Sequence, residues 1–107
     1  MTNQGPGQLE IALEYARHTG PRFLRASVKL RFDSLRPYSF SSQATWPPGV
    51  DYTESVQSGV EEALMQRLGK LEQTEVTLLE VSVHPVDSAP MAFKRAARAA
   101  TEAAFAV

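Results

Sequence analysis

The sequence predicts an α+β fold, a two-layer β-β-β-α-β-α chain whose two helices cover one face of a sheet. Three observations carry that expectation. Apolar residues alternate at period two in three runs between Leu9 and Ala44. A single apolar stripe at period 3.6 follows from Val56 to Leu68. A further extended run, Thr74 to Val83, then leads into an alanine-rich helix. At 107 residues and 43% apolar content there is chain enough for one two-layer core, with no internal repeat.

Residues 1–8 are polar and rich in Gly and Pro, so the domain is expected over 9–107, behind a flexible tail. Leu9, Ile11, Leu13 and Tyr15 share one face of a first strand, with Glu10 and Glu14 on the other. His18-Thr19-Gly20-Pro21-Arg22 reads as a turn. The second strand is the clearest: Ala26, Val28, Leu30 and Phe32 point one way and Ser27, Lys29, Arg31 and Asp33 the other. After a turn at Asp33–Pro37, Tyr38, Phe40, Ser42 and Ala44 give a weaker third strand.

Pro47-Pro48-Gly49 ends it, and Asp51-Tyr52-Thr53-Glu54 has the form of a capping box, with Asp51 accepting from the amide of Glu54. The first helix carries Val56, Val60, Ala63, Leu64 and Leu68 on one stripe, with Gly69 placed to end it. Gly59 inside that helix costs about 1 kcal/mol against alanine unless something packs closely there. In the fourth strand the apolar phase slips: Val76 and Leu78 belong to one face, Val81 and Val83 to the other. A β-bulge near Leu79-Glu80 reconciles them. Ser88 is placed to cap the last helix, with Pro90 in its first turn. The inward stripe of that helix is Ala92/Phe93, Ala96/Ala97, Ala99/Ala100 and Ala103/Ala104, leaving Lys94, Arg95, Arg98 and Glu102 as a solvated face.

Several function classes are excluded or disfavoured by composition. The formal net charge of −1 and a pI near 6.1 provide no general basic field, so any RNA contact needs a local patch. The absence of cysteine rules out disulfides and thiolate metal sites and agrees with a reducing compartment. No run approaches the length of a membrane span, and the N-terminus lacks a signal-peptide pattern, so a cytoplasmic protein is expected. There is no phosphate-binding loop: Gly69-Lys70 is followed by Leu71. Glu61 and Glu62 point in different directions on a helix, and Glu10 and Glu14 share the solvated face of a strand. With two histidines and no helical metal pair, no catalytic constellation, metal or cofactor is expected.

The segment His84-Pro85-Val86-Asp87-Ser88-Ala89-Pro90-Met91-Ala92-Phe93-Lys94, with the strand before it, resembles domain IV of translation elongation factor G. That family carries a strand, then His-x-Val-Asp-Ser, then a helix opening with Met-Ala-Phe-Lys. Ser58-Gly59-Val60-Glu61-Glu62-Ala63-Leu64 resembles the family's Lys-Gly-Ile-x-Glu-Ala-Leu helix, and Arg17-His18-Thr19-Gly20 its Arg-Gln-Thr-Gly. The resemblance implies a left-handed β-α-β crossover and a tip that enters the decoding site of the small ribosomal subunit, beside transfer RNA and messenger. The implied tip has two loops. Arg17, His18, Thr19, Gly20, Arg22 and Arg25 belong to the first, and His84, Pro85, Asp87 and Ser88 to the second.

The chemistry suits that role. Pro85 restricts His84 to an extended backbone, from which an imidazole can stack on a base or bond to ribose and phosphate. Arginines suit phosphate, whereas Asp87 suits a helix cap. The chain also departs from the family. Gly20-Pro21-Arg22-Phe23-Leu24-Arg25 is bulkier than the family's glycine-rich loop, and Glu80-Val81-Ser82 replaces Asp-Gly-Ser. These 107 residues carry no GTPase domain, so translocation by this chain alone is not expected.

The leading expectation is a non-catalytic module that docks on the ribosome or an RNA–protein surface, with Met1 and Val107 bounding a complete small protein. One alternative is a fragment or subunit of a split translational GTPase, of elongation or ribosome-protection type, with a separate GTPase chain as partner. Another is a diverged protein-interaction domain with no ribosomal role.

Overall fold

Alternating strands need partners for their backbone groups, and the computed structural model, which describes residues 8–19, 22–68, 74–84 and 88–105, provides them in one sheet. The elements are β1 (Gln8–Thr19), β2 (Arg22–Asp33), β3 (Ser39–Ser42), α1 (Thr53–Leu68), β4 (Glu75–Val83) and α2 (Pro90–Ala104). The sheet order is β1-β2-β4-β3. β1 and β2 form an antiparallel hairpin, β2 pairs antiparallel with β4, and β3 runs parallel to β4. Parallel neighbours cannot be joined by a tight turn, and α1 makes the crossover between β3 and β4. The expected β-β-β-α-β-α order and two-layer α+β architecture are both present.

The hairpin is longer than the sequence suggests. Arg17, His18 and Thr19 pair with Leu24, Phe23 and Arg22, so what reads as a loop from His18 to Arg25 is mostly ladder. On β1 solvent reaches both faces near the end of the hairpin, where Ala16, Arg17 and His18 are all exposed, so this stretch carries no alternation to signal a strand. The third strand, in contrast, is shorter than expected, with Tyr38 and Ala44 outside it.

The slip of phase in β4 is a bulge. Val83 and Val81 pair with Ala26 and Val28, Leu78 and Val76 with Leu30 and Phe32, and the register shifts between Lys29 and Leu30. Glu80 faces Lys29 and Leu78 faces Leu30, leaving Leu79 as the extra residue. Val76, Leu78, Val81 and Val83 thereby share the face of Ala26, Val28, Leu30 and Phe32.

That face lies beneath the helices. Val56, Val60, Ala63 and Leu64 of α1 are buried, as the stripe requires. Gly69 and the burial of Leu68 lie outside what the structure describes. Asp51 starts α1 differently from a capping box: its Oδ1 accepts from the amide of Thr53 at 2.9 Å, not from Glu54. This is the shorter Asx arrangement, in which an aspartate satisfies a donor two residues on. Gly59 has its reason in packing. A Cβ there would overlap the carbonyl oxygen of Lys94 and lie 3.1 Å from the amide nitrogen of Arg98, so α2 crosses α1 at the glycine.

In α2, Ala92, Phe93, Ala96, Ala97, Ala100 and Thr101 are buried. Thr101 takes a place expected for alanine, donating its hydroxyl to the Ala97 carbonyl at 2.8 Å, whereas Ala103 is exposed. The small side chains let α2 lie directly against β1, β2 and α1. Phe93 fills the space this leaves, with the rings of Trp46 and Tyr52 at 5.1 and 5.3 Å. Trp46 also donates its indole N–H to Thr53 Oγ1 at 3.0 Å, tying the incoming loop to the start of α1. Among the described residues, no helix is long and apolar enough to cross a membrane.

Candidate functional site

Two chain segments meet at one end of the sheet: the closed end of the β1–β2 hairpin and the connection from β4 to α2. The second is tied together at its two described ends, His84 and Ser88. The Ser88 amide donates to the His84 carbonyl at 2.8 Å, and the His84 amide donates to Ser88 Oγ at 2.9 Å. The Ser88 hydroxyl in turn donates to the Arg25 carbonyl at 2.7 Å. Ser88 therefore does not cap α2, as its position before the helix suggests. The residue preceding α2 is Ala89, in extended conformation and without a side-chain cap, and Pro90 opens the helix without needing a donor partner. A hydroxyl that can fasten two strands at once is better used there than on a helix end that proline already suits.

His84 follows Val83 on the opposite face of β4, the side of the sheet away from the helices. Its Nε2 lies 4.0 Å from Glu14 Oε2 and has no hydrogen-bond partner among the described residues, while about a third of the side chain is exposed. The same carboxylate oxygen accepts from Arg25 Nε at 2.9 Å. Glu14 thus stands between Arg25 and His84, and the tip has three ionisable groups on three adjacent strands. At the end of the hairpin the His18 and Phe23 rings meet in a tilted contact, 4.8 Å between centroids and 51° between planes, on the same face.

Of the residues expected at the tip, His84, Ser88 and Arg25 are brought together, while His18 lies further along the hairpin against Phe23. Arg17 is exposed on the other face of β1, the one α2 covers. Thr19 and Arg22 pair as the last and first residues of their strands. Gly20, Pro85 and Asp87 lie outside the described residues. Two participants are not expected from the sequence. Glu14 reads there as one more solvated strand carboxylate, and Arg95 as part of a solvated helix face. Only the third dimension shows that Glu14 shares an oxygen with Arg25 and His84, and that Arg95 reaches Tyr15.

What this arrangement can do is bind. A histidine ring, an aromatic pair and guanidinium groups can stack on bases and contact phosphate. Among the described residues no group of three His, Cys, Asp or Glu side chains is placed to hold a metal ion.

Comparison with known proteins bears on the whole domain. The family described as elongation factor G, domain IV, matches residues 6–107. Elongation factor G 1 of Syntrophomonas wolfei is 35% identical over 98 residues, covering 86% of this chain and 14% of that protein. A crystal structure from Thermus thermophilus superposes with a TM-score of 0.77 at 26% identity, covering 90% of this chain and 15% of that one. The chain therefore spans about one seventh of the length of these relatives. With the end of β4 and the start of α2 stapled through Ser88 within a sheet and helix pair of that same architecture, the chain belongs to the elongation factor G domain IV family.

Proposed function

We propose that this chain is a non-catalytic ribosome-binding domain whose tip contacts RNA at the decoding region. The observation that carries the reading is the Ser88 staple. It ties His84 to Ser88 and to β2 at the end of the sheet, beside the end of the hairpin. A histidine held in this way loses little conformational freedom on binding, so a stacking or hydrogen-bonded contact is not offset by ordering. The side chains around it offer contact chemistry: rings, guanidinium groups and one carboxylate.

Co-sedimentation with whole bacterial ribosomes, at low and physiological salt and with elongation factor G as competitor, tests the reading. Binding that the factor displaces is expected. His84→Ala is expected to weaken it roughly tenfold, the lower end of what one stacked base contributes. No binding at either salt overturns the proposal, and full binding by His84→Ala removes the tip from it.

A second reading is favoured by the length comparison, since the chain spans about one seventh of its relatives. Here the domain acts with a GTPase domain on another chain or elsewhere on the same one. Sedimentation that becomes tight only when such a GTPase chain is added, with GTP, distinguishes it.

A further inference from the structure

Most basic side chains of the described residues already have an acceptor. Lys29 lies 3.6 and 3.7 Å from Glu10 and Glu80. Arg25 is on Glu14, Arg36 on Asp33, and both Lys94 and Arg98 on Glu62. Arg67 donates to the Phe105 carbonyl. Arg31, half-buried on the face of the sheet away from the helices, has no acceptor among the described residues, and two exposed arginines on one flank also differ. Arg17 has no hydrogen bond or ion pair among the described residues. Arg95 has only Tyr15, donating to its hydroxyl at 2.9 Å with Cζ 6.0 Å from the ring centroid.

These two guanidinium groups belong together. Tyr15 and Arg17 are two residues apart on β1 and so share a face, the one against which α2 packs. Arg95 reaches Tyr15 from α2, so the two arginines flank one aromatic ring where helix and strand meet. Among the described residues, nearby carboxylates do not compensate them. Glu10 and Glu14 are on the other face of the sheet, Glu62 faces Lys94 and Arg98, and Glu102 faces Arg98. Because β1 ends and α2 begins at the His84 end of the molecule, this flank runs directly into the tip.

We propose that the Arg17–Tyr15–Arg95 flank is a second RNA-contacting surface, continuous with the tip, which takes the phosphodiester backbone of one ribosomal RNA strand. The inference rests on the ribosome-binding reading above. Guanidinium groups with no carboxylate partner among the described residues meet phosphate without first breaking an ion pair there, and the fork geometry matches paired phosphate oxygens. Arg95 lies along the Tyr15 ring, so its side chain is ordered before any ligand arrives. The charge is local, which reconciles RNA contact with a chain whose formal net charge is −1.

The test is a salt series of ribosome binding for the wild type, Arg17→Gln, Arg95→Gln, the double variant and Arg36→Gln, with unfolding midpoints as a check on folding. Loss of one phosphate contact makes the slope of log K against log salt shallower by about 1, and loss of two by about 2. Arg36→Gln makes the same change of charge beyond the opposite end of β2 and is expected to leave the slope unchanged. Arg95→Lys is expected to restore most of it. Since Arg17 makes no hydrogen bond or ion pair among the described residues, Arg17→Gln alone remains a fair test if Arg95→Gln loosens α2. An unchanged slope in the double variant, or an equal change in Arg36→Gln, overturns the proposal. Displacement from ribosomes by polyglutamate but not by poly(U) overturns it in favour of an acidic protein partner. Weakening by His84→Ala with normal flank variants removes this inference and leaves the ribosomal reading standing; failure of the wild type to bind removes both.

Discussion

Replacing Gly59 with alanine puts two principles in direct opposition. On helix propensity alone the change stabilises α1 by about 1 kcal/mol. At this position, however, the added Cβ would overlap the Lys94 carbonyl oxygen and lie 3.1 Å from both the Lys94 carbonyl carbon and the Arg98 amide nitrogen. All three obstacles are backbone atoms of α2, so no rotamer change relieves them, and the helices must separate by roughly an ångström. A gap of that size forfeits about a quarter to a half of each dispersion contact along the crossing. Overpacking costs about 1–3 kcal/mol, and a backbone obstacle belongs at the upper end. Subtracting the propensity gain leaves a net loss of about 2 kcal/mol, or a fall of about 9 °C in the thermal midpoint for a chain of this length. Urea and thermal unfolding followed by circular dichroism measure it, with Ser58→Ala as the control that feels propensity without the crossing. A Gly59→Ala protein more stable than wild type would show that the helices do not approach as described.

Other perturbations follow from single contacts. Ser88→Ala removes both the bond to the Arg25 carbonyl and the bond from the His84 amide, so a loss of about 1–2 kcal/mol is expected, with faster hydrogen exchange at the His84 amide. Tyr38→Phe removes the 2.6 Å bond to Glu61 and should cost about 1 kcal/mol near neutrality. Burial, with the Glu61 carboxylate beside it, pushes the Tyr38 phenol well above its ordinary range. The stabilising contribution is therefore complete below pH about 10 and declines above it, as unfolded tyrosine ionises first. Alkaline unfolding should be less steep in Tyr38→Phe than in wild type. Asp51 has its carboxyl held below the usual range by its bonds to Thr53. Its contribution is lost as pH falls through the acid range, and acid titration of Asp51→Ala should lack that component.

The parts of the fold legible in sequence are those written as local periodicity. The two apolar pairs of β4, out of phase by one, require an extra residue between them, and Leu79 is that residue. The α1 stripe likewise names its own buried face. Contacts between distant segments leave no such trace. Gly59 is visibly anomalous in a helix, yet nothing near it in the chain names the Lys94 carbonyl as the cause. Asp-Ser before a proline-led helix looks the same whether the serine caps the helix or, as here, reaches a carbonyl 63 residues earlier. At the site, the resemblance singles out His84, while the residues that surround it come only from pairing register. Glu14 meets Arg25 because Ala16 faces Arg25, and Arg95 meets Tyr15 because α2 lies on β1. The hairpin end reads as a loop because exposed polar strands do not alternate.

The extra residue in β4 also decides on which side of the sheet the tip histidine falls. Side chains along a strand obey odd–even parity, and one inserted residue inverts the parity of everything after it. Counted from Val76 and Leu78 without interruption, position 84 would belong to the helix-covered side and Val83 to the opposite one. Counted through Leu79, Val81 and Val83 enter the core and His84 emerges beside Glu14. A one-residue deletion at Leu79 is therefore a different kind of change from any substitution there: it would remove the bulge and close the ladder, with Glu80 still opposite Lys29 and Leu78 opposite Leu30, while Val81 and Val83 stay inward and His84 outward.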